Sequence, residues 1–156
     1  MANAYINLYK GNPTAGLVDG TLVSTDGANT APFTFTIDAS KGESEVQKAA
    51  LRCEPGYLTT GNTTISAYDI DTTDDSDHTN YWGFAADNNY ADANAANAAA
   101  TFTPTLTIED SIEVVNKVFW IKASSTTGEP PQNDRTVGLE VKTIVTAAVV
   151  EENYSS

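Results

Sequence analysis

The chain is short of cysteine, histidine, methionine and cations: its 156 residues hold one Cys, one His, one Met and eight Lys plus Arg. A single thiol, Cys53, closes no intrachain disulfide, so stability has to come from a packed core, and an apolar core position is the expected place for a lone cysteine. Nothing near the start joins basic residues to an apolar run and a small-residue cleavage site. The expectation is a chain made and folded in a reducing cytoplasm. Long apolar runs are missing too. The strongest, around residues 144–150, falls far short of the ~20 residues that cross a bilayer, which excludes a membrane span and predicts a soluble protein.

Acid outweighs base, with 21 Asp plus Glu and a formal charge of −13. Such a balance repels phosphate backbones, so no nucleic-acid partner is expected. It keeps a protein soluble at high local concentration, which suits an abundant secreted or particle-surface component and equally a plain solvated surface. The length fits a single domain, residues 1–156, that buries roughly two-thirds of the surface its unfolded form exposes. No internal repeat and no linker divides it.

What the chain does have is a series of short segments in which β-branched or aromatic residues alternate with polar ones, the pattern of half-buried strands. In residues 4–9, Ala4, Ile6 and Leu8 point one way and Tyr5, Asn7 and Tyr9 the other. A turn follows at Lys10-Gly11-Asn12-Pro13. Residues 33–38 alternate most cleanly, with Phe33, Phe35 and Ile37 toward the core. Residues 46–53 suit a helix as well as a strand, because Glu43, Glu45, Lys48, Ala49, Ala50 and Leu51 are good helix formers. The turn residues Glu54-Pro55-Gly56 that follow at once favour a strand. Further strands are expected at residues 63–68, framed by Gly61-Asn62, and at residues 101–108, where Pro104 implies an edge or a bulge. The strongest are residues 118–123 and 136–141, on either side of a Ser-, Thr-, Gly- and Pro-rich loop. Eight or so such strands and no long amphipathic helix predict an all-β fold, an antiparallel β-sandwich of immunoglobulin-like type.

Two segments break the alternation. Residues 69–80 are dense in Asp and Thr, and residues 91–100 are an Ala/Asn run that fits an irregular loop or one short helix. Together they predict a long loop insertion around residues 69–100. Loops of that length in a compact domain are usually functional or mobile, which makes this the expected partner-specific surface.

Little in the sequence points to chemistry. The loop containing Asp69, Asp71, Asp74, Asp75 and Asp77 has oxygen ligands enough for calcium, but it lacks the glycine and terminal glutamate of an EF-hand. A solvated acidic loop is the default, and a zinc site at His78 would need three further ligands. No cofactor or metal is therefore expected. One His and one Cys separated by a loop suggest no nucleophile and base. The carboxylates Glu109 with Asp110, and Glu151 with Glu152, are sequence neighbours, whereas a glycosidase needs two facing each other across a cleft. Catalytic residues are accordingly assigned to none. Trp120, between Phe119 and Ile121, reads as core. Tyr81, Trp82, Phe84 and Tyr90 flank the insertion and are the candidate partner-binding residues: exposed rings of this kind stack on sugars, although core or interface packing is the commoner fate of large aromatics.

The stretch Phe119-Trp120-Ile121-Lys122-Ala123, followed after Glu129-Pro130-Pro131 by Thr136-Val137-Gly138-Leu139-Glu140-Val141, resembles the closing hairpin of small immunoglobulin-like virion proteins of tailed bacteriophages. The opening strand, the Gly-Asn-Pro turn, Asp19-Gly20-Thr21, Ala50-Leu51-Arg52-Cys53-Glu54-Pro55-Gly56-Tyr57 and Gly61-Asn62-Thr63-Thr64-Ile65 are similar to that group as well. The resemblance implies a non-enzymatic structural protein, a capsid decoration protein on the outer surface of the head. Its partners would be the major capsid protein and copies of itself. The rival expectation is a tail or baseplate component, or a carbohydrate-binding module that attaches to host glycans. A calcium-stabilised adhesin-like domain is a third. Strand edges, loops and the chain termini are the expected contact surfaces.

Overall fold

A computed structural model describes residues 5–23, 44–69, 81–124 and 137–147. The strand expected at residues 33–38, the acidic loop beyond Asp69 with His78, the loop between the last two strands, Glu151, Glu152 and both terminal segments lie outside the described residues.

The described residues form eight strands and one helix: β1 Ile6–Lys10, β2 Thr21–Leu22, β3 Ser44–Cys53, β4 Tyr57–Asp69, β5 Trp82–Ala86, α1 Ala93–Ala99, β6 Thr105–Ile108, β7 Lys117–Ser124 and β8 Val137–Ala147. Five strands make one sheet in the order β2-β1-β3-β7-β5, and three make a second in the order β6-β4-β8. Every pairing between neighbours is antiparallel. Between the sheets, Ala49, Leu51, Cys53, Phe84, Phe119 and Ile121 of the larger meet Ile65, Leu106 and Ile108 of the smaller, with Ile112 filling the end of the core. The chain is an all-β antiparallel sandwich, as the alternation predicts. Cys53 is buried.

The helix formers of residues 46–53 lie in a central strand. β3 runs between β1 and β7, and its alanines stand opposite bulky partners, Ala49 across from Phe119 and Ala50 across from Val118. Both alanines are fully buried on their respective faces. Small-against-large pairing lets two layers cover this strand, and that packing overrides an intrinsic preference worth only tenths of a kcal/mol per residue, about 0.7 at most.

Three expectations need correction. Gly61-Asn62 does not frame a strand but lies inside β4, where the register against β8 shifts between Thr60 and Thr64. Gly61, at φ 72°, supplies the left-handed conformation that such a bulge needs. Second, residues 69–100 are not one long loop. β5 pairs with β7 inside that stretch. Because it has no polar residue and only its last residue is exposed, its apolar residues run together and no alternation signals it. Third, the segments likened to a closing hairpin are β7 and β8, which belong to different sheets.

Residues 87–102 follow β5 across the outer face of the larger sheet, where Tyr90, Ala93, Ala96 and Phe102 pack on Val46 and Trp120. The Ala/Asn run thus forms a short helix, with Asp92 as N-cap accepting from the Ala95 amide at 2.9 Å, a bond that satisfies one of the free amides of the first turn. Its alanines allow close approach to the sheet. Thr103 then bridges back to Phe84 through two backbone hydrogen bonds, of 2.8 and 2.9 Å. After Pro104 the chain enters the other sheet as β6, an edge strand, so Pro104 marks a corner at one side of the sandwich.

Candidate functional site

The four aromatics expected to bind a partner do not form one surface. Trp82 and Phe84, two residues apart on β5, both turn into the core between the sheets. Phe84 is completely buried, so it offers nothing to a partner and is reassigned to the core. Trp82 is half-buried and packs against the same cluster. Tyr90 sits on the opposite side of the sheet, edge-on to Trp120 at 6.3 Å between ring centroids. Tyr81 is half-buried, and its carbonyl accepts a bond from the Ser124 hydroxyl at 3.1 Å. Trp82 and Phe84 share the inner face of β5, whereas Tyr90 lies on the segment that crosses the outer face, so the four rings form no common platform for a sugar. Trp120 is core, as expected, and its Nε1 donates to Asp87 at 3.0 Å.

Seven large apolar side chains are exposed among the described residues, Tyr5, Tyr68, Ile144 and four others. Leu17 is 53 % exposed, Val18 64 %, Val114 41 % and Val115 40 %. All four are in loops, one joining β1 to β2 and the other joining β6 to β7, and these loops are stitched together. The Asn116 amide donates to the Leu17 carbonyl at 2.8 Å, and the Gly16 amide donates to the Asn116 carbonyl at 3.1 Å. Leu17 and Val18 are thereby held beside the Val114–Val115 bend.

The Asn116 side chain makes the junction rigid. It is 4 % exposed, and its Nδ2 donates to the carbonyls of Thr14 at 2.9 Å and Asp19 at 3.2 Å and to the Asp19 carboxylate at 2.8 Å. Its Oδ1 accepts from Arg52 at 2.8 Å, while the same Arg52 nitrogen reaches the Asp19 carbonyl at 2.8 Å. Arg52 itself lies over the Tyr9 ring, 3.6 Å from its centroid, a stacked arrangement favoured for a guanidinium. Burial pushes the Tyr9 phenol above its ordinary pKa, an effect larger than the opposing pull of Arg52. Asp19 closes the loop on itself, taking bonds of 2.8 Å from both the amide and the hydroxyl of Thr14, and these hold its carboxyl below the usual carboxylate range.

Gly20 completes the turn. Its φ is +108°, and a Cβ there would stand 3.1 Å from the Lys10 carbonyl oxygen and 3.2 Å from both Pro13 and Tyr9 Cβ atoms. Only glycine fits so close an approach. Of this cluster the sequence advertised the turn residues alone. The one further signal was a polar Asn116 set between Val115 and the apolar run of β7.

A shallow groove of about 340 Å³ opens on the outer face of the larger sheet, between the Gly11-Asn12 turn, Gln47 and Lys48 of β3 and the start of α1, with Trp120 at its floor. The Lys48 ammonium stands 5.8 Å from the centre of the Trp120 ring. Gly11 and Asn12 both have positive φ, at 80° and 60°, as the turn expected at this point requires.

Two of the groups considered for chemistry, Asp110 and Cys53, are otherwise engaged. Asp110 pairs with Lys117 at 2.8 Å, and that cation holds its carboxyl low. The Cys53 thiol is directed at the Ile112 carbonyl at 3.5 Å, and burial pushes its pKa up, opposite to the direction an activated nucleophile needs. Among the described residues no three His, Cys, Asp or Glu side chains gather into a metal-binding group, and no helix there is long and apolar enough to cross a membrane. No protein family model, curated protein or solved structure matches this chain.

Proposed function

We propose that this chain is a structural docking module, a head decoration protein of a tailed bacteriophage that binds the major capsid lattice and stabilises it. The observation that carries the reading is the rigid placement of exposed apolar side chains on hydrogen-bonded loops of a filled sandwich. The space between the sheets is filled by Phe84, Phe119, Ile121, Leu51 and Ile65, so binding has to use the outer surface. A surface in which Leu17 and Val18 are fixed in place, at the cost of leaving them wet, suits docking because little ordering remains to oppose association. β8 adds a second feature of this kind. Among the described residues it bonds to β4 alone, which leaves along eleven residues an edge of the sort that accepts an added strand. The resemblance of several segments to small phage virion proteins supplies the particle.

The test is an inventory of purified virions by mass spectrometry with copy number. Hundreds of copies per particle, with cosedimentation on expanded capsids, is the expected result; absence from the particle ends the reading.

A second reading, attachment to host glycans, is favoured by the polar groove rather than by the separated aromatics. Asn12, Gln47, Lys48 and Asp92 line it and offer the amides and charges that hydrogen-bond sugar hydroxyls. Saturable binding on a glycan array that disappears in Gln47→Ala would support attachment; an empty array removes it.

A further inference from the structure

The exposed apolar cluster has a charged surround of one dominant sign. Asp19 adjoins Val18 and Glu113 adjoins Val114, and both are exposed. The Cys53 amide bonds to the Glu113 carbonyl at 2.7 Å, which brings Glu54 to the same end of the molecule. Of the nearby cations, Lys117 is paired with Asp110, while Arg52, bonded to neutral oxygens, and Lys10 keep their charge but are outnumbered by Asp19, Glu54, Glu109 and Glu113. The whole chain repeats this imbalance at −13.

Such a surface discriminates among occupants. A second copy docking through the same face would bring two net-acidic surrounds together, and like charges at a desolvating rim oppose association. An anionic lipid surface is repelled for the same reason. A protein surface with aliphatic side chains at its centre and Lys or Arg around them satisfies both the apolar patch and its rim.

We infer that Leu17, Val18, Val114 and Val115 form a docking face for a protein surface with an aliphatic centre and a basic rim. This deepens the docking reading above and rests on it, though not on the particle. The clamp explains why the face is built as it is: Asn116, buried and fully bonded, fixes the positions of two loops that are about a hundred residues apart in sequence, 102 between Thr14 and Asn116. The basic rim sets the rate and salt dependence of encounter, while the aliphatic centre sets the lifetime of the complex.

The test uses the full chain and a synthetic amphipathic helical peptide made of Leu and Lys, its Leu/Glu counterpart, and vesicles of anionic phospholipid. Binding is read by fluorescence anisotropy, and self-association by sedimentation equilibrium. The expected result is binding of the Leu/Lys peptide that weakens with salt and falls about tenfold for each of Leu17→Ser and Val18→Ser, in line with the loss of one aliphatic contact. Ile144→Ser, which removes an exposed aliphatic on the other sheet, leaves it unchanged. Unchanged urea midpoints in the three variants, all at exposed positions, confirm that they stay folded. Equal loss in Ile144→Ser, equal binding of the Leu/Glu peptide, vesicle binding that depends on Leu17, or a dimer that Val18→Ser dissolves would each overturn the inference. A chain absent from virions that still binds the Leu/Lys peptide through Leu17 and Val18 refutes the decoration role and leaves this face standing.

Discussion

Replacing Asn116 by Ala tests the clamp directly. The side chain is buried and makes four hydrogen bonds, to Arg52, to the Thr14 carbonyl and to the carbonyl and carboxylate of Asp19. Removing it abolishes all four, while the backbone bonds from Asn116 to Leu17 and Gly16 stay possible. The three bonds to Arg52 and the two carbonyls are worth about 1 kcal/mol each in net stability. Water takes over the bond to the exposed Asp19 carboxylate and adds nothing. The expected loss is therefore about 3 kcal/mol, equivalent to a fall of about 6–12 °C in melting temperature for a chain of this size. Urea unfolding followed by the fluorescence of the buried Trp120 measures it. A companion variant separates hydrogen bonding from filling of space. Asn116→Asp has the same shape and still accepts from Arg52, but it loses the Nδ2 donor and turns a carboxylate toward that of Asp19. It should destabilise at least as much as Ala. A loss below about 1 kcal/mol for Ala, or an Asp variant as stable as the parent, refutes the clamp as a source of rigidity.

Gly20→Ala should cost about 2–3 kcal/mol in chemical unfolding, through strain at a disallowed φ and contact with the Lys10 carbonyl, whereas Gly16→Ala, with the open space around Gly16, should cost only about 1. Trp120→Phe keeps most of the buried area but loses the bond to Asp87, so the unfolding free energy should fall by about 1–2 kcal/mol. Cys53 should react with a disulfide reagent at a rate set by unfolding, being unreactive in buffer and fully reactive in urea; rapid native labelling would contradict its burial. Asp19 has a folded pKa below the unfolded one. Its contribution is thus present above the unfolded pKa and is lost as pH falls through the lower, folded value. Carboxyl carbon NMR should place its midpoint below that of an ordinary aspartate, and Asp19→Asn should flatten the acid limb of the stability profile.

Much of the fold was legible because it follows from period and punctuation. Ile6 and Leu8 face the core as their alternation requires. Gly11-Asn12 and Gly56 adopt the positive φ of the turns read from them, and Pro104 stands where the chain leaves one sheet for the other. The strand inside residues 69–100 went unread for a local reason. β5, Trp82-Gly83-Phe84-Ala85-Ala86, has no polar residue and only its last residue is exposed, and a strand without a polar side has no alternation to read. The membership of β7 and β8 in separate sheets is a property of chain path, and a pair of good strands with a polar loop between them reads as a hairpin whichever sheet each joins.

The candidate site was less legible than the fold, and the reason is general to docking surfaces. Large aromatics are the residues that most often bind, yet they also most often fill cores, and here Phe84 does so. Leu17, Val18, Val114 and Val115 carry no local mark, since an aliphatic side chain in a loop reads as an incidental apolar residue. Their significance depends on being exposed together, and that depends on Asn116 joining residues on either side of most of the chain. A buried asparagine with every polar atom bonded is a costly way to hold a loop if nothing docks on it, because a single cavity or missing partner there leaves desolvated groups unpaired. Two exposed aliphatics on a freely moving loop would lose ordering entropy on binding, whereas on this clamped one that entropy is already spent in folding. If the clamp exists to preorganise the face, Asn116→Ala should weaken binding of the Leu/Lys peptide by more than it alters the peptide's contacts, and lowering the temperature should partly restore that binding by reducing the entropic penalty of ordering. Binding unaffected by loss of the clamp would mean that the network serves folding alone.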